Sequence, residues 1–326
     1  MRNVYTDLAI EVAETIQQTC PDTDIEGVGM EVTESPGGIT TTVVEIRNEA
    51  GAQEMGRPVG RFITIESAAM KENDLDAHDE IIKLVADRLA GLVTLSDGDV
   101  ILVVGLGNSR VTPDALGPRV AAKTLVTRHI MDDLTPALGG GVRAVAAIAP
   151  GVMGATGIET AEVVRGLVER VKPDLVIAID ALAARHTRRI NATIQMSDTG
   201  VSPGGGMGKC RVPLNRETLG VPVIGIGVPT VVDAATLVND TLDLALASMA
   251  ESCPRDGGFY ETLQALAEEE KYELICESLA PYAGNMFVTP KEVDAVVERL
   301  ARIIANALNI ALHPGIGKED IDRFIG

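Results

Sequence analysis

Three apolar runs constrain this chain most: VILVVG at 100–105, DLVIAID at 174–180 and VPVIGIGVP at 221–229. A half-exposed strand would alternate polar and apolar residues; these runs do not, and they are bounded by Gly, Pro or Asp. They read as strands buried on both faces, and VRAVAAIAP at 142–150 is a fourth. Helical spacing fills the intervals at about 115–130, 158–171 and 231–249. A long amphipathic run at 292–312 stops at His313-Pro314-Gly315. Strands alternating with helices imply βαβ units, hence an α/β fold with a mostly parallel sheet flanked by helices. With no Trp, four Phe and four Tyr, the core must be built from aliphatic side chains and Met, which suits that architecture.

The N-terminal third follows another pattern. Residues 8–19 have helical spacing through Leu8, Val12 and Ile16. GVGMEVTES (27–35), ITTTVVEI (39–46) and VGRFITIES (59–67) read as strands separated by Gly or Pro turns, and a helix is expected at about 77–92. This makes a β-rich extension at about 25–67, expected to be antiparallel. Residues 251–290 are mixed in pattern and are expected to form a capping segment on a single α/β domain.

The formal charge is 28 − 47 = −19, which repels phosphate backbones and argues against direct nucleic-acid binding. Neutral or basic partners fit better. Cys20, Cys210, Cys253 and Cys276 lack the close spacing of zinc or redox motifs. No basic-plus-apolar leader is visible, and no apolar run reaches the roughly 18 residues of a membrane span. The expectation is an intracellular protein acting away from the membrane.

In open α/β sheets the reactive crevice lies beyond the carboxyl ends of the strands. The first such loop reads VVGLGNSRVTPDALGPRV. A dinucleotide fingerprint fails here: Arg110 stands where the third glycine belongs, and residues 146–149 supply no ribose-binding acid. GLGN also opens peptidyl-tRNA hydrolases, but no histidine occurs in this chain between the loop and His129. Gly105, Gly107 and Asn108 are therefore read as a loop that passes close to a substrate backbone. The loop carries Asp114 at a helix start, where helix capping is its ordinary role. Asp180, at the end of DLVIAID, projects toward the same crevice. Two acids sharing one water form a hydrolytic device, in which mutual repulsion raises one pKa so that one acts as base and the other as acid. Asp233 is a third acid, better explained by the start of the following helix. His78, His129, His186 and His313 lack metal-site spacing, Ser109 and Ser202 lack a nucleophile elbow, and no cofactor or metal is called for.

GLGNSRVTPDALGPRV, APGVMGATGIET, IAIDALAAR, TGVSPGGGMG and VPVIGIGVPTVVDAAT, in this order, resemble the germination proteases of spore-forming bacteria. The loop followed by an acid is more distantly similar to hydrogenase maturation proteases, which implies their kind of fold. The resemblance implies an atypical aspartic endopeptidase without a required metal, with Asp114 and Asp180 as the catalytic pair. It further implies a homotetrameric zymogen in the cytoplasm of the forespore and spore core. Its substrates would be the small acid-soluble proteins that coat spore DNA, cut after the acid of Thr/Ser-Glu-(Phe/Ile/Leu)-Ala sequences. Thr6-Asp7-Leu8-Ala9 is similar to such a site, so residues 1–7 would be a propeptide removed between Asp7 and Leu8, leaving 8–326 as the peptidase domain. An acid before the cut calls for a cation. Arg185, His186, Arg188 and Arg189 after Asp180, and Lys209 and Arg211 after the Gly-rich loop, are the candidates, with Arg185, Arg188 and Lys209 foremost. Two other readings stay open: a metal-dependent maturation-type protease, and a non-enzymatic acidic protein that binds basic partners.

Overall fold

The computed structural model describes residues 6–19, 25–35, 37–131, 140–203, 211–252, 274–279, 281 and 286–317. Its strands are β1 (Val28–Ser35), β2 (Ile39–Ile46), β3 (Gly60–Glu66), β4 (Val100–Gly105), β5 (Ala144–Ile148), β6 (Leu175–Ala184), β7 (Thr193–Ser197), β8 (Val223–Asp233) and β9 (Phe287–Val288). The helices that matter below are α1 (Ala9–Thr19), α2 (Glu49–Met55), α3 (Leu75–Leu92), α4 (Leu116–Lys123), α5 (Thr160–Val171), α6 (Ala234–Ser252) and α7 (Val293–Leu312).

The nine strands among the described residues join one sheet in the order β1-β2-β3-β7-β8-β6-β4-β5, with β9 on β8. The expected mostly parallel sheet is corrected: it is mixed. Only β4–β5, β4–β6 and β6–β8 run parallel, while β1–β2, β2–β3, β3–β7, β7–β8 and β8–β9 run antiparallel. The difference arises at β7, which the apolar-run criterion passes over. TIQMS has no apolar run, yet it alternates: Ile194 and Met196 enter the main core while Gln195 and Ser197 face the other way. That one strand welds the N-terminal antiparallel meander to the parallel block.

The parallel strands are covered on both faces, which explains their uninterrupted apolar character. Ile101, Val103, Leu175, Ile177 and Ile179 pack with α3, α4 and α7. Leu102, Val104, Val176 and Ala178 pack with α5 on the opposite face. The even row of β6 therefore continues Val176–Ala178–Asp180, which puts a carboxyl where the next apolar residue would stand.

Several boundaries shift. The helix expected at 115–130 ends at Lys123, because the chain leaves it to follow β5: the Thr127 N–H donates to the Val145 carbonyl at 3.0 Å. β8 runs on to Asp233, since β9 pairs with Val232 and Asp233; the helix expected from 231 begins at Ala234. β9 lies within the expected capping segment at 251–290, most of which falls outside the described residues.

Candidate active site

β6 outruns β4. Their last aligned pair is Gly105↔Ile179, whereas β6 continues to Ala184. Asp180 is thus the first residue beyond the carboxyl end of β4, although it sits inside its own strand and not at the strand's end. Backbone groups of alternate residues face alternate edges of a strand. The Ile179 carbonyl accepts from Leu106 N at 2.8 Å, the Ala181 N–H is taken by the Asp180 carboxylate at 2.9 Å, and the groups of Ala183 are left for another partner.

That partner is Asp7. Its N–H donates to the Ala183 carbonyl at 3.0 Å and its Oδ2 accepts from Ala183 N at 2.8 Å. The expected cut site therefore lies on the edge of β6, in line with Asp180. The Gln195 side chain holds the same segment, accepting from Ala9 N at 2.7 Å and donating to the Asp7 carbonyl at 3.1 Å. Arg57 donates to the Thr6 carbonyl. Leu8 is fully buried with Ile10, Ala184, Ile190 and Val232. Burial of such a side chain contributes about 2 kcal/mol to holding α1 in place. Thr6 Oγ1 accepts the Leu8 N–H at 3.0 Å and donates to the Glu11 carboxylate, which ties this segment to α1. Asp7, Arg57, Asp180 and Gln195 line one cavity of about 90 Å³.

Asp114, on the loop between β4 and α4, does not line that cavity but lies near enough to Asp180 for its charge to be felt there. Its carboxylate does not cap α4, whose N-terminal flank is Ala115; it turns back to accept from Asn108 N at 2.8 Å. Thr230 of β8 anchors the loop by donating to the Pro113 carbonyl at 2.7 Å. The glycines serve the chain's own crossing. Gly107 has φ +113°, and a Cβ there would stand 2.1 Å from the Asp114 carbonyl oxygen. A Cβ on Gly105 would stand 2.0 Å from the Gly117 carbonyl oxygen, and one on Gly117 2.2 Å from the Leu106 oxygen. These close approaches, which only glycine permits, set Asp114 beside the end of β4.

Burial pushes the Asp180 carboxyl up to about 8, and the charges of Asp7 and Asp114 add to that; the Ala181 N–H and Arg211 oppose it. Burial also raises Asp114, against the Asn108 N–H and Arg211. Asp180 thus feels the charges of two carboxylates from distant segments, and with its carboxyl at about 8 it is largely protonated near neutral pH.

The germination protease family model matches residues 6–257 and 254–325. The chain belongs to this family. It is 46% identical to a germination protease of Clostridium perfringens (strain ATCC 13124) over the whole of both chains. It is 45% identical to that of Caldanaerobacter subterraneus subsp. tengcongensis, covering 99% of this chain and 98% of the relative. Identity to the germination protease of Bacillus subtilis (strain 168) is 41%, over 97% and 95%.

The cations nominated from sequence occupy varied positions. Arg185 and Arg188 turn toward α1: the Arg185 Nη1 donates to Thr15 at 3.4 Å, and Arg188 pairs with Glu14 at 3.5 Å with its side chain 68% exposed. Arg189 is buried between Glu14 and Glu66, at 2.7 and 2.8 Å. Lys209 lies outside the described residues, and Arg211 is the cation whose charge reaches Asp114 and Asp180. Asp233 caps α6, accepting from Thr236 N at 3.1 Å. Among the described residues, no three His, Cys, Asp or Glu side chains are placed to share a metal ion, and no helix is long and apolar enough to cross a membrane. Arg57 and Gln195 escape sequence reasoning. Arg57 is loosely signalled by the GRP turn at 56–58, and Gln195 by its outward position in the alternating TIQMS.

Proposed function

We propose that this member of the germination protease family is an endopeptidase whose Asp114–Asp180 pair activates water, and that Thr6–Ala9 is its own first substrate. The observation that carries the proposal is the seating of Asp7 on Ala183, where its charge raises Asp180. A cleavable sequence presented to a perturbed pair of acids is what a self-processing zymogen requires. Asp114, the acid held by the Asn108 N–H, is the base that takes a proton from water; Asp180, the protonated one, is the acid that delivers a proton to the leaving amine. Cleavage releases Met1–Asp7 and makes Leu8 the new terminus of a peptidase domain spanning 8–326; a substrate in trans then takes the place that Leu8 and Ala9 vacate.

In this reading the substrates in trans are small acid-soluble spore proteins with Thr/Ser-Glu-(Phe/Ile/Leu)-Ala sites, and the enzyme works as a homotetramer in the forespore and spore core. The likeness to hydrogenase maturation proteases belongs to the same proposal and rests on the glycine-asparagine loop followed by an acid. Arg57 takes the place of Arg185 and Arg188 as the cation that compensates the acid before the cut, because Asp7's charge opposes the lowering of the Arg57 pKa by burial.

The test pairs Asp114→Asn and Asp180→Asn with a Thr-Glu-Ile-Ala peptide and with the protein's own terminus. Both variants are expected to retain Met1 and leave the peptide intact, while the unaltered protein acquires Leu8 as its terminus by intact-mass measurement. Cleavage by either variant removes the catalytic assignment. Loss of activity on chelation, with stoichiometric metal in the purified protein, selects the metal-dependent reading. An intact peptide with every version selects the binding-protein reading.

A further inference from the structure

The Gln195 amide spans the bond that the proposed function cuts. Its Oε1 accepts from the Ala9 N–H and its Nε2 donates to the Asp7 carbonyl oxygen. An amide N–H only donates and a carbonyl only accepts, so these two partners fix which way round the amide stands. The sheet sets its position. Gln195 is aligned with Gly227 and Gly227 with Asp180, so Gln195 and Asp180 stand on the same face, two strands apart. Two inter-strand spacings put their Cα atoms roughly 10 Å apart. The residue between them has no side chain, and Leu182 leans over it: a Cβ on Gly227 would meet Leu182 at 2.5 Å. The Asp7–Leu8 peptide is held across this gap, with Asp7 on Ala183 and Leu8 in its pocket.

We infer that Gln195 is a catalytic residue: its Nε2–H stabilises the negative charge that develops on the carbonyl oxygen before the cut. Its Oε1 meanwhile holds the N–H of the second residue after the cut. The inference rests on the reading that the Asp7–Leu8 bond is the one hydrolysed.

The step balances without any further reactant. Water oxygen bonds to the Asp7 carbonyl carbon as Asp114 takes one water proton. The C=O π pair moves onto oxygen, which the Gln195 N–H then faces as an oxyanion. The pair returns, the C–N bond breaks with its electrons going to the Leu8 nitrogen, and Asp180 protonates that nitrogen. The products are a carboxylic acid at Asp7 and an amine at Leu8. Gln195 transfers no proton; it supplies a fixed dipole in a site where it is only 9% exposed. Such donors act most strongly away from water.

A residue that only fastened α1 to the sheet would make the same two contacts, so the test must separate the roles. Cleavage of the Thr-Glu-Ile-Ala peptide in trans is measured with Gln195→Met, which keeps the volume, and Gln195→Glu, which keeps the acceptor but removes the donor. Both are expected to lower kcat about 10²–10³-fold, the loss typical of one oxyanion donor, with KM changed far less. A phosphinic peptide, whose tetrahedral P–O⁻ imitates the intermediate, loses affinity by the same factor as kcat/KM. With the unaltered enzyme, N-methylation of the alanine in the peptide raises KM, a readout independent of how the variants fold. Unchanged kcat and phosphinate affinity in folded variants, or an N-methyl peptide cut as well as the parent, overturns the inference while the Asp114–Asp180 reading stands. If the unaltered enzyme cuts elsewhere than after the acid, or Asp114→Asn and Asp180→Asn still cut, that reading fails and takes Gln195 with it.

Discussion

Asp180→Asn should reshape how stability depends on pH. Asparagine has the shape of the protonated acid but cannot ionise. In the folded protein burial, with Asp7 and Asp114 nearby, holds the Asp180 carboxyl at about 8, against 3.8 for an aspartate in water. Between these values the folded state keeps a proton that the unfolded chain has released. The unfolding free energy therefore falls as pH rises, by about 1.4 kcal/mol per unit for one full proton. The stabilisation is complete below about pH 4 and lost through about pH 8, a window that caps the effect at roughly 6 kcal/mol. Asp180→Asn should match the parent near pH 4 and exceed it by several kcal/mol at pH 8. Denaturant unfolding from pH 4 to 8, on precursor whose intact mass is verified before and after, measures this directly. Parallel pH profiles for the two proteins would refute the argument, because they would mean that Asp180 ionises in the fold as it does in water.

Arg57→Gln should lower kcat/KM for a peptide with Glu before the cut about tenfold or more, and narrow its advantage over the Gln peptide, as expected when a desolvated acid loses its paired cation; equal losses on both peptides would assign Arg57 to the Thr6 carbonyl alone. Arg189→Ala should destabilise the protein by about 3–5 kcal/mol in chemical unfolding, since it strands Glu14 and Glu66 beside a fully buried Glu11. Gly117→Ala should cost about 3 kcal/mol or more, because the new methyl would meet the Leu106 and Ile179 carbonyl oxygens at 2.2 and 2.6 Å and backbone yields little; a variant that melts with the parent would mean that the β4–α4 crossing is looser than described.

Residue order alone determined the parallel block of β5, β4, β6 and β8. Strands buried on both faces must be apolar throughout, so their signal is local and dense. The same locality singled out Asp114 and Asp180 as candidate acids, although it read Asp180 as a strand's last residue where β6 in fact runs on to Ala184. It also marked Thr6–Ala9, through the family resemblance. What it left hidden is the β7 link, whose five residues alternate too briefly to outweigh their polar content, and with it Gln195 and Arg57. Gln195 and Asp7 are separated by 188 positions. They meet only because β7 pairs antiparallel with β8 while β6 extends beyond β4, leaving Ala183's backbone groups to hold Asp7. That meeting depends on strand register across three neighbours, and register is a property of the assembled sheet: no short stretch of this chain encodes it.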